Sequence, residues 1–310
     1  LDRYWMLATM MWMNSPPTPW GQKDAFEELY DDPTTGMDPR WQYMSSIEQL
    51  KEIFEDRRFI ACLARCILWN GNWPDELCHP AYTMTIMPML ALGVPGFIQY
   101  VGGTHQIVHA CQRVLADYGG KTFTNCEVDK ILVENGKAKG IKLADGTEIE
   151  AKKMVVANIE PRQLTFRMLR EFSISDVIKR KLNNIPSDIS TLFWGNIAMH
   201  ERPQYIADES APGINNSWVV VMGDDDVDYL YRDYKYQNQH IRPGHWPAKL
   251  YIWESGMSQF DPIVAPPGKH TTLVEEYGPP ASALSQREWI QLRREVGPRI
   301  LEEWRKYAPN

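Results

Sequence analysis

No stretch of these 310 residues reaches the roughly 18 consecutive apolar residues of a membrane-crossing helix, so no transmembrane helix is readable. Basic clusters are missing as well. With 33 Lys and Arg against 40 Asp and Glu, the net charge of −7 leaves nothing to neutralise a phosphate backbone and excludes a nucleic-acid partner. Cysteine is scarce: Cys62, Cys66, Cys78, Cys111 and Cys126 make 5, an odd number, in apolar or irregular surroundings. Buried free thiols in a reducing compartment follow, rather than a disulfide framework. Cys62 and Cys66 stand one helical turn apart and Cys78-His79 lies downstream, but no fourth ligand falls at zinc spacing, and no metal is expected. The 20 glycines never form G-x-G-x-x-G, the loop that cradles a dinucleotide diphosphate at a helix N-terminus. No Ser-His-Asp or Cys-His nucleophile signature is present, so no catalytic side chain can be named. What remains, 44% hydrophobic and 24% charged, is the composition of a folded chain long enough for one large or two closely joined domains.

The most structured pattern runs from Val101 to Pro161. Gly102-Gly103 forms a loop free to take positive φ, and Thr104 is placed to cap a helix. Ile107, Val108, Cys111, Val114 and Leu115 recur at helical spacing, and Gly119-Gly120 sits where a helix end wants a left-handed residue. A short strand is expected over Lys121 to Asn125. Val128 to Glu134, Ala138 to Leu143 and Thr147 to Ala151 then form a meander turning at Asn135-Gly136 and Asp145-Gly146. Met154-Val155-Val156-Ala157 is a continuous apolar run, the pattern of a strand buried on both faces, and it leads into Asn158.

Downstream, strands are expected within Ser190 to His200, Ser217 to Met222, Ala248 to Trp253 and Thr271 to Tyr277. Asp224 to Asp228 lacks the glycine and glutamate of a calcium loop and reads as a solvated acidic turn or helix start. Ser285-x-x-Glu288 is a capping box for a helix running through Trp304. Trp (12) and Met (14) are abundant, and Tyr4 to Met13 and Tyr82 to Leu90 are two bulky, Met-rich apolar clusters. Core packing accounts for most of them, and the lining of a long apolar tunnel is the functional alternative.

The double-glycine, helix, double-glycine unit resembles the phytoene desaturase-like group of flavin amine oxidase-type oxidoreductases, which includes carotenoid desaturases, carotenoid isomerases and retinol saturase. Its V-x-x-I strand corresponds to Val128 to Ile131, its meander to Ala138 to Gly146, and its A-x-x-V-V-x-N strand to Ala151 to Asn158. Ser258 to Thr271 resembles the S-x-x-D-P-x-x-A-P-x-G-x-H element of the family's substrate domain, and Ser46 to Pro74 its preceding helices. The family's proline before the double glycine is Val101 here.

This resemblance implies an α/β fold with an α+β substrate domain, a partial FAD-binding two-domain flavoprotein with a mixed sheet, helices on one face and a helical cap. Residues 1–95 would be the helical part of the substrate domain, 96–162 an internal part of the FAD domain, and 163–310 the rest of the substrate domain. FAD is the implied cofactor, with Val128, Asn158, Gly102 and Gly103 nearest to it or to the substrate cavity. Asp261 and His270 read as a turn cap and a satisfied sheet histidine. The implied substrate is a hydrophobic small molecule whose C–C bond is desaturated, saturated or isomerised. The setting is cytoplasmic, with peripheral membrane contact as the option that lipophilic substrates raise. The absent flavin-binding segments would be N- and C-terminal parts of the same protein or a partner chain. The alternatives are a flavin-free binding module, as in Rab GDP-dissociation inhibitors, and an amine oxidase-type enzyme.

Overall fold

The computed structural model describes residues 19, 21–23, 25–35, 38–68, 73–77, 99–185, 190–241 and 243–310. The chain divides into two units, Leu1–Gln106 with Asp188–Asn310, and Ile107–Ser187. The Tyr4 to Met13 and Tyr82 to Leu90 clusters and Cys78 lie outside the described residues.

Among the described residues, the first unit begins with helices α1 (Ala25–Asp31), α2 (Ser46–Ile53) and α3 (Arg57–Leu68). A capping box starts α2: Ser45 Oγ accepts the Glu48 N–H and the Glu48 carboxylate accepts the Ser45 N–H. Helix α3 is apolar along one side because Ile60, Leu63, Ala64 and Ile67 recur at helical spacing, and it packs them on Ile47 and Leu50 of α2 and on Val227.

The second unit is built on α4 (His105–Asp117), β1 (Val128–Glu134), β2 (Lys137–Leu143), β3 (Glu148–Glu150), a π-helical turn Gln163–Met168 and α5 (Asp176–Asn183). Gly119 ends α4 at φ +77, with its N–H on Ala116 O and the Gly120 N–H on Leu115 O, a Schellman closure that only a residue tolerant of positive φ allows. The strands form an antiparallel meander, β1-β2-β3. Asn135 and Gly136 both take positive φ, the type I′ turn whose twist matches the flanking strands.

Two expected strands do not form. Lys121 to Asn125 and Met154 to Asn158 are irregular, and Met154 and Val156 are 71% and 81% exposed. An apolar run supplies the demand for burial but not a neighbouring strand, and none of the described strands pairs with either segment. The apolar residues of α4 are likewise uncovered, for none of its residues is buried. Cys111 and Cys126, expected to be buried, are exposed, whereas Cys66 is buried and Cys62 partly so. Cys111 shares the uncovered α4, and Cys126 precedes β1 in irregular chain.

The first unit resumes with β4 (Thr191–Met199), β5 (Val219–Gly223), β6 (Tyr251–Ser255), α6 (Met257–Phe260), β7 (His270–Gly278) and α7 (Gln286–Trp304). The sheet order is β4-β7-β6-β5, and every pair is antiparallel rather than mixed. Strand direction is set by where the connections return, which apolar periodicity does not record. Helices cover both faces, not one. On one face Val296, Ile300 and Trp304 of α7 pack on Val220, Met222, Ile252 and Val274. On the other, Cys66 of α3 packs on Trp253, while Leu230 and Tyr234 pack with Trp73 on Tyr251 and Tyr277. All five residues of β6 are therefore buried. Each fully buried Ile, Val or Leu in these layers contributes about 1.5–3 kcal/mol.

Candidate functional site

The face of the four-stranded sheet that meets α3 is anchored by a buried cation. Arg65 is 0% exposed. Its Nε donates to Tyr251 O at 2.9 Å, Nη1 to Tyr277 Oη at 3.0 Å, and Nη2 to Glu275 O at 3.3 Å, with Glu275 Oε2 3.7 Å from Nη2. Its guanidinium also lies 4.3 Å from the Tyr277 ring centre and 5.8 Å from that of Trp253. A desolvated guanidinium is tolerable where donated hydrogen bonds and a nearby carboxylate compensate it, and Arg65 has these three bonds and Glu275 beside it. Burial pushes the Tyr277 phenol up, although the Arg65 charge opposes it.

This face continues onto the edge strand β4. Trp194 stands level with Glu275, Leu192 with Tyr277 and Asn196 with Leu273, and residues in register share a face. Here the cover stops: Trp194 is 57% exposed, and Leu192, Asn196 and Ala198 are exposed. An open apolar ledge thus borders a closed, cation-anchored floor.

At the neighbouring end of β6 lies the double-glycine loop. Gly102 and Gly103 take φ +83 and +84. The Gly102 N–H donates to Asp261 Oδ2 at 2.6 Å, the Gly103 N–H donates to Tyr100 O at 2.8 Å, and Gln99 Nε2 donates to Met257 O at 2.9 Å. Asp261 is buried, and its other oxygen caps the following turn at the Ile263 N–H. His270 Nδ1 lies 3.5 Å from Ser258 Oγ, which accepts the Thr271 N–H at 3.0 Å and donates to Thr271 O. These contacts are architectural, and no nucleophile-and-base pair emerges from them.

The opposite face of the sheet holds two buried carboxyls that the sequence reading did not single out, Glu254 and Glu276. Glu276 accepts the Tyr251 N–H at 2.6 Å and the Tyr277 N–H at 2.8 Å, and complete burial raises it to about 7 despite the Arg65 charge. Glu254 accepts from Tyr205 Oη at 3.0 Å and from Thr272 Oγ1, and burial raises it as well. The available signal was Glu275-Glu276 set between Leu273-Val274 and Tyr277 in a strand. Arg65 gave a weaker one, a lone charge between Ala64 and Cys66.

Gly102 and Gly103 belong to one unit, Val128 and Asn158 to the other. Val128 is half-buried at the start of β1, opposite Leu143, on the strand at the edge of the described sheet, where the adjacent Asp129 O accepts from Arg170 Nη1 at 3.0 Å. Asn158 is exposed in irregular chain. The second unit also contains a cavity of about 600 Å³ between Ile131 to Glu134, Glu150 and the segment carrying Leu169 and Phe172. Among the described residues there is no group of three His, Cys, Asp or Glu side chains fit to hold a metal ion, and no helix is long and apolar enough to cross a membrane.

Sequence comparison supplies what geometry does not. A stretch of 71 residues is 45% identical to a phytoene desaturase (neurosporene-forming) of Rhodobacter capsulatus, covering 23% of this chain and 13% of that protein. A stretch of 102 residues is 34% identical to a 4,4'-diapophytoene desaturase (4,4'-diapolycopene-forming) of Methylomonas sp, covering 33% of this chain and 19% of that protein. The chain is similar to the phytoene desaturase-like group of oxidoreductases. No family model matches it. A solved oxidoreductase from Methanosarcina mazei superposes with a TM-score of 0.56 at 21% identity, over 86% of this chain and 53% of that one, which establishes a shared α/β fold. The matched stretches are thus small parts of the desaturase-like relatives, and the solved structure is matched over about half its length.

Proposed function

We propose that this chain is the central part of an FAD-dependent oxidoreductase acting on a C–C bond of a lipophilic, polyene- or isoprenoid-like substrate, by desaturation, saturation or isomerisation. The observation that carries this reading is the 45% identity to a phytoene desaturase over 71 residues. The open ledge of Leu192 and Trp194 supports it, because an extended apolar molecule needs a long surface and few polar groups.

The described residues fit one end of a flavin dinucleotide. The edge of β1 at Val128 is the segment that would lie against an adenine, and Asn158 offers an exposed amide. They do not supply a diphosphate cradle, because both double-glycine amides are spent, on Asp261 and on Tyr100. The loop's role is therefore to shape its surroundings through backbone that lacks side chains. When bound, the flavin supplies hydrogen transfer at an unactivated carbon. The chain's own residues position the substrate, the sheet floor excludes water beneath it, and Arg65 keeps that floor rigid. The exposed apolar residues of α4 and of Met154 to Val156 give a further segment of the same protein, or a partner chain, a surface to cover.

The test is the visible absorption spectrum of the protein purified from its native host, with its intact mass. Bound flavin bands support the reading. A colourless protein of the mass of these 310 residues replaces it with a flavin-free binding module on the same fold.

A further inference from the structure

Helix α5 shows apolar residues to solvent between cations. None of its residues is buried; Val177 and Ile178 are 52% and 50% exposed, and Ile185, just past its end, is 52% exposed. At about 100° per residue, Val177 and Ile178 share one side of the helix with Lys181, and Lys179 and Arg180 stand on the two borders of that side. Arg162 Nε donates to Leu182 O at 3.0 Å and its Nη2 donates to Ile185 O, so the turn Gln163–Met168 starts alongside the end of α5, and that turn carries the exposed Phe166. Elsewhere in this unit Arg167, Arg170 and Lys130 are tied to Glu127, Asp129 and Glu171. On α5, Lys179 lies 3.6 Å from Asp176, whereas Arg180 and Lys181 make no ion pair among the described residues.

We propose that α5 is a docking surface for an anionic bilayer, with Val177, Ile178 and Ile185 entering the interface and Lys179, Arg180 and Lys181 binding lipid phosphates. Cations on both borders of an apolar stripe suit a lipid interface: the stripe enters the boundary of the acyl chains, while the long Lys and Arg side chains reach back to the headgroups. Three consecutive cations are too short a track for nucleic acid, which has no use for the apolar stripe. The attachment is peripheral and reversible, since one short helix with three cations binds far more weakly than a spanning helix. This surface belongs to the chain with or without bound flavin, so a colourless protein would leave the docking intact.

The experiment pellets the full-length protein with vesicles of phosphatidylcholine alone and of phosphatidylcholine with about 30% phosphatidylglycerol, at low salt and at about 0.5 M salt. Binding is expected to the mixed vesicles and at low salt only. K179Q/R180Q/K181Q should weaken it about hundredfold and V177S/I178S about tenfold. Neither variant removes a buried side chain, so both should keep the circular dichroism of the parent. Should a variant not fold, the lipid and salt dependence of the unsubstituted protein decides. Equal binding to neutral vesicles, binding indifferent to salt, or folded variants that bind as the parent does overturns the proposal. Absence of binding to either vesicle overturns it too, and a changed oligomeric state in V177S/I178S would then give this face to a second copy of the chain.

Discussion

The Gly102 amide donates to the Asp261 carboxylate at 2.6 Å, joining a glycine loop to an Asp-Pro turn 159 residues away in sequence. Asp261 is buried, so the bond is shielded from water. D261A is expected to lower unfolding free energy by about 2 kcal/mol, the usual scale for a hydrogen bond to a charged group, and D261N by about half of that. G102A should cost about 1–2 kcal/mol through its φ of +83. Urea denaturation reads all three, and a D261A midpoint equal to that of the parent would show the bond to be incidental.

Glu276 makes stability depend on pH. Its folded value is raised from 4.5 to about 7 by burial, so the folded chain holds the proton more tightly than the unfolded one. The associated stability is complete below pH about 4.5, falls as pH rises, and is lost once pH passes about 7, a change of roughly 3 kcal/mol. Glu254 acts in the same direction. E276Q should flatten the fall between pH 5 and 7.5 (about the interval between the two values). Thermal melts across that range check it, and an unchanged slope in E276Q would place the titration elsewhere.

Removing the Arg65 guanidinium leaves Glu275 and two backbone carbonyls without their donor in the sheet floor. R65M is expected to cost about 3–5 kcal/mol, and the double variant R65M/E275Q less than R65M alone. Equilibrium unfolding of the four forms gives the coupling, and strict additivity would mean that the two charges do not sense each other.

Trp194 should matter to ligand and not to folding. It is more than half exposed on the edge strand, so W194A is expected to shift stability by no more than about 0.5 kcal/mol. A detergent-dispersed polyene should quench the tryptophan fluorescence of the parent, and W194A should bind it about tenfold more weakly. Equal affinity in both would remove the ledge from the substrate path.

Much of the local structure was legible in advance. Asn135-Gly136 named its turn because two consecutive positive φ angles admit few other residues. Gly119-Gly120 closed α4, and Ser285 with Glu288 opened α7, because orphaned backbone groups at helix ends are satisfied by neighbours in sequence. The four strands of the larger sheet fell where alternation or apolar runs placed them, within one to three residues at most ends. Met154 to Ala157 shows the limit, since a strand is a pairing and its partner is not written in its own residues. The family likeness was legible for a similar reason: turn glycines and motif residues keep fixed spacing along the chain.

The sequence by itself determined which segments coil or extend and how they turn, because those outcomes depend on φ preferences and on hydrogen bonds spanning a few residues. Tertiary structure decided the rest. It ran the sheet antiparallel, covered it on both faces, brought Arg65 to Glu275 and Gly102 to Asp261, and raised Glu276 by burial. Each of these depends on which distant residue arrives to exclude water, and solvent exclusion is a property of the assembled fold rather than of any window of sequence.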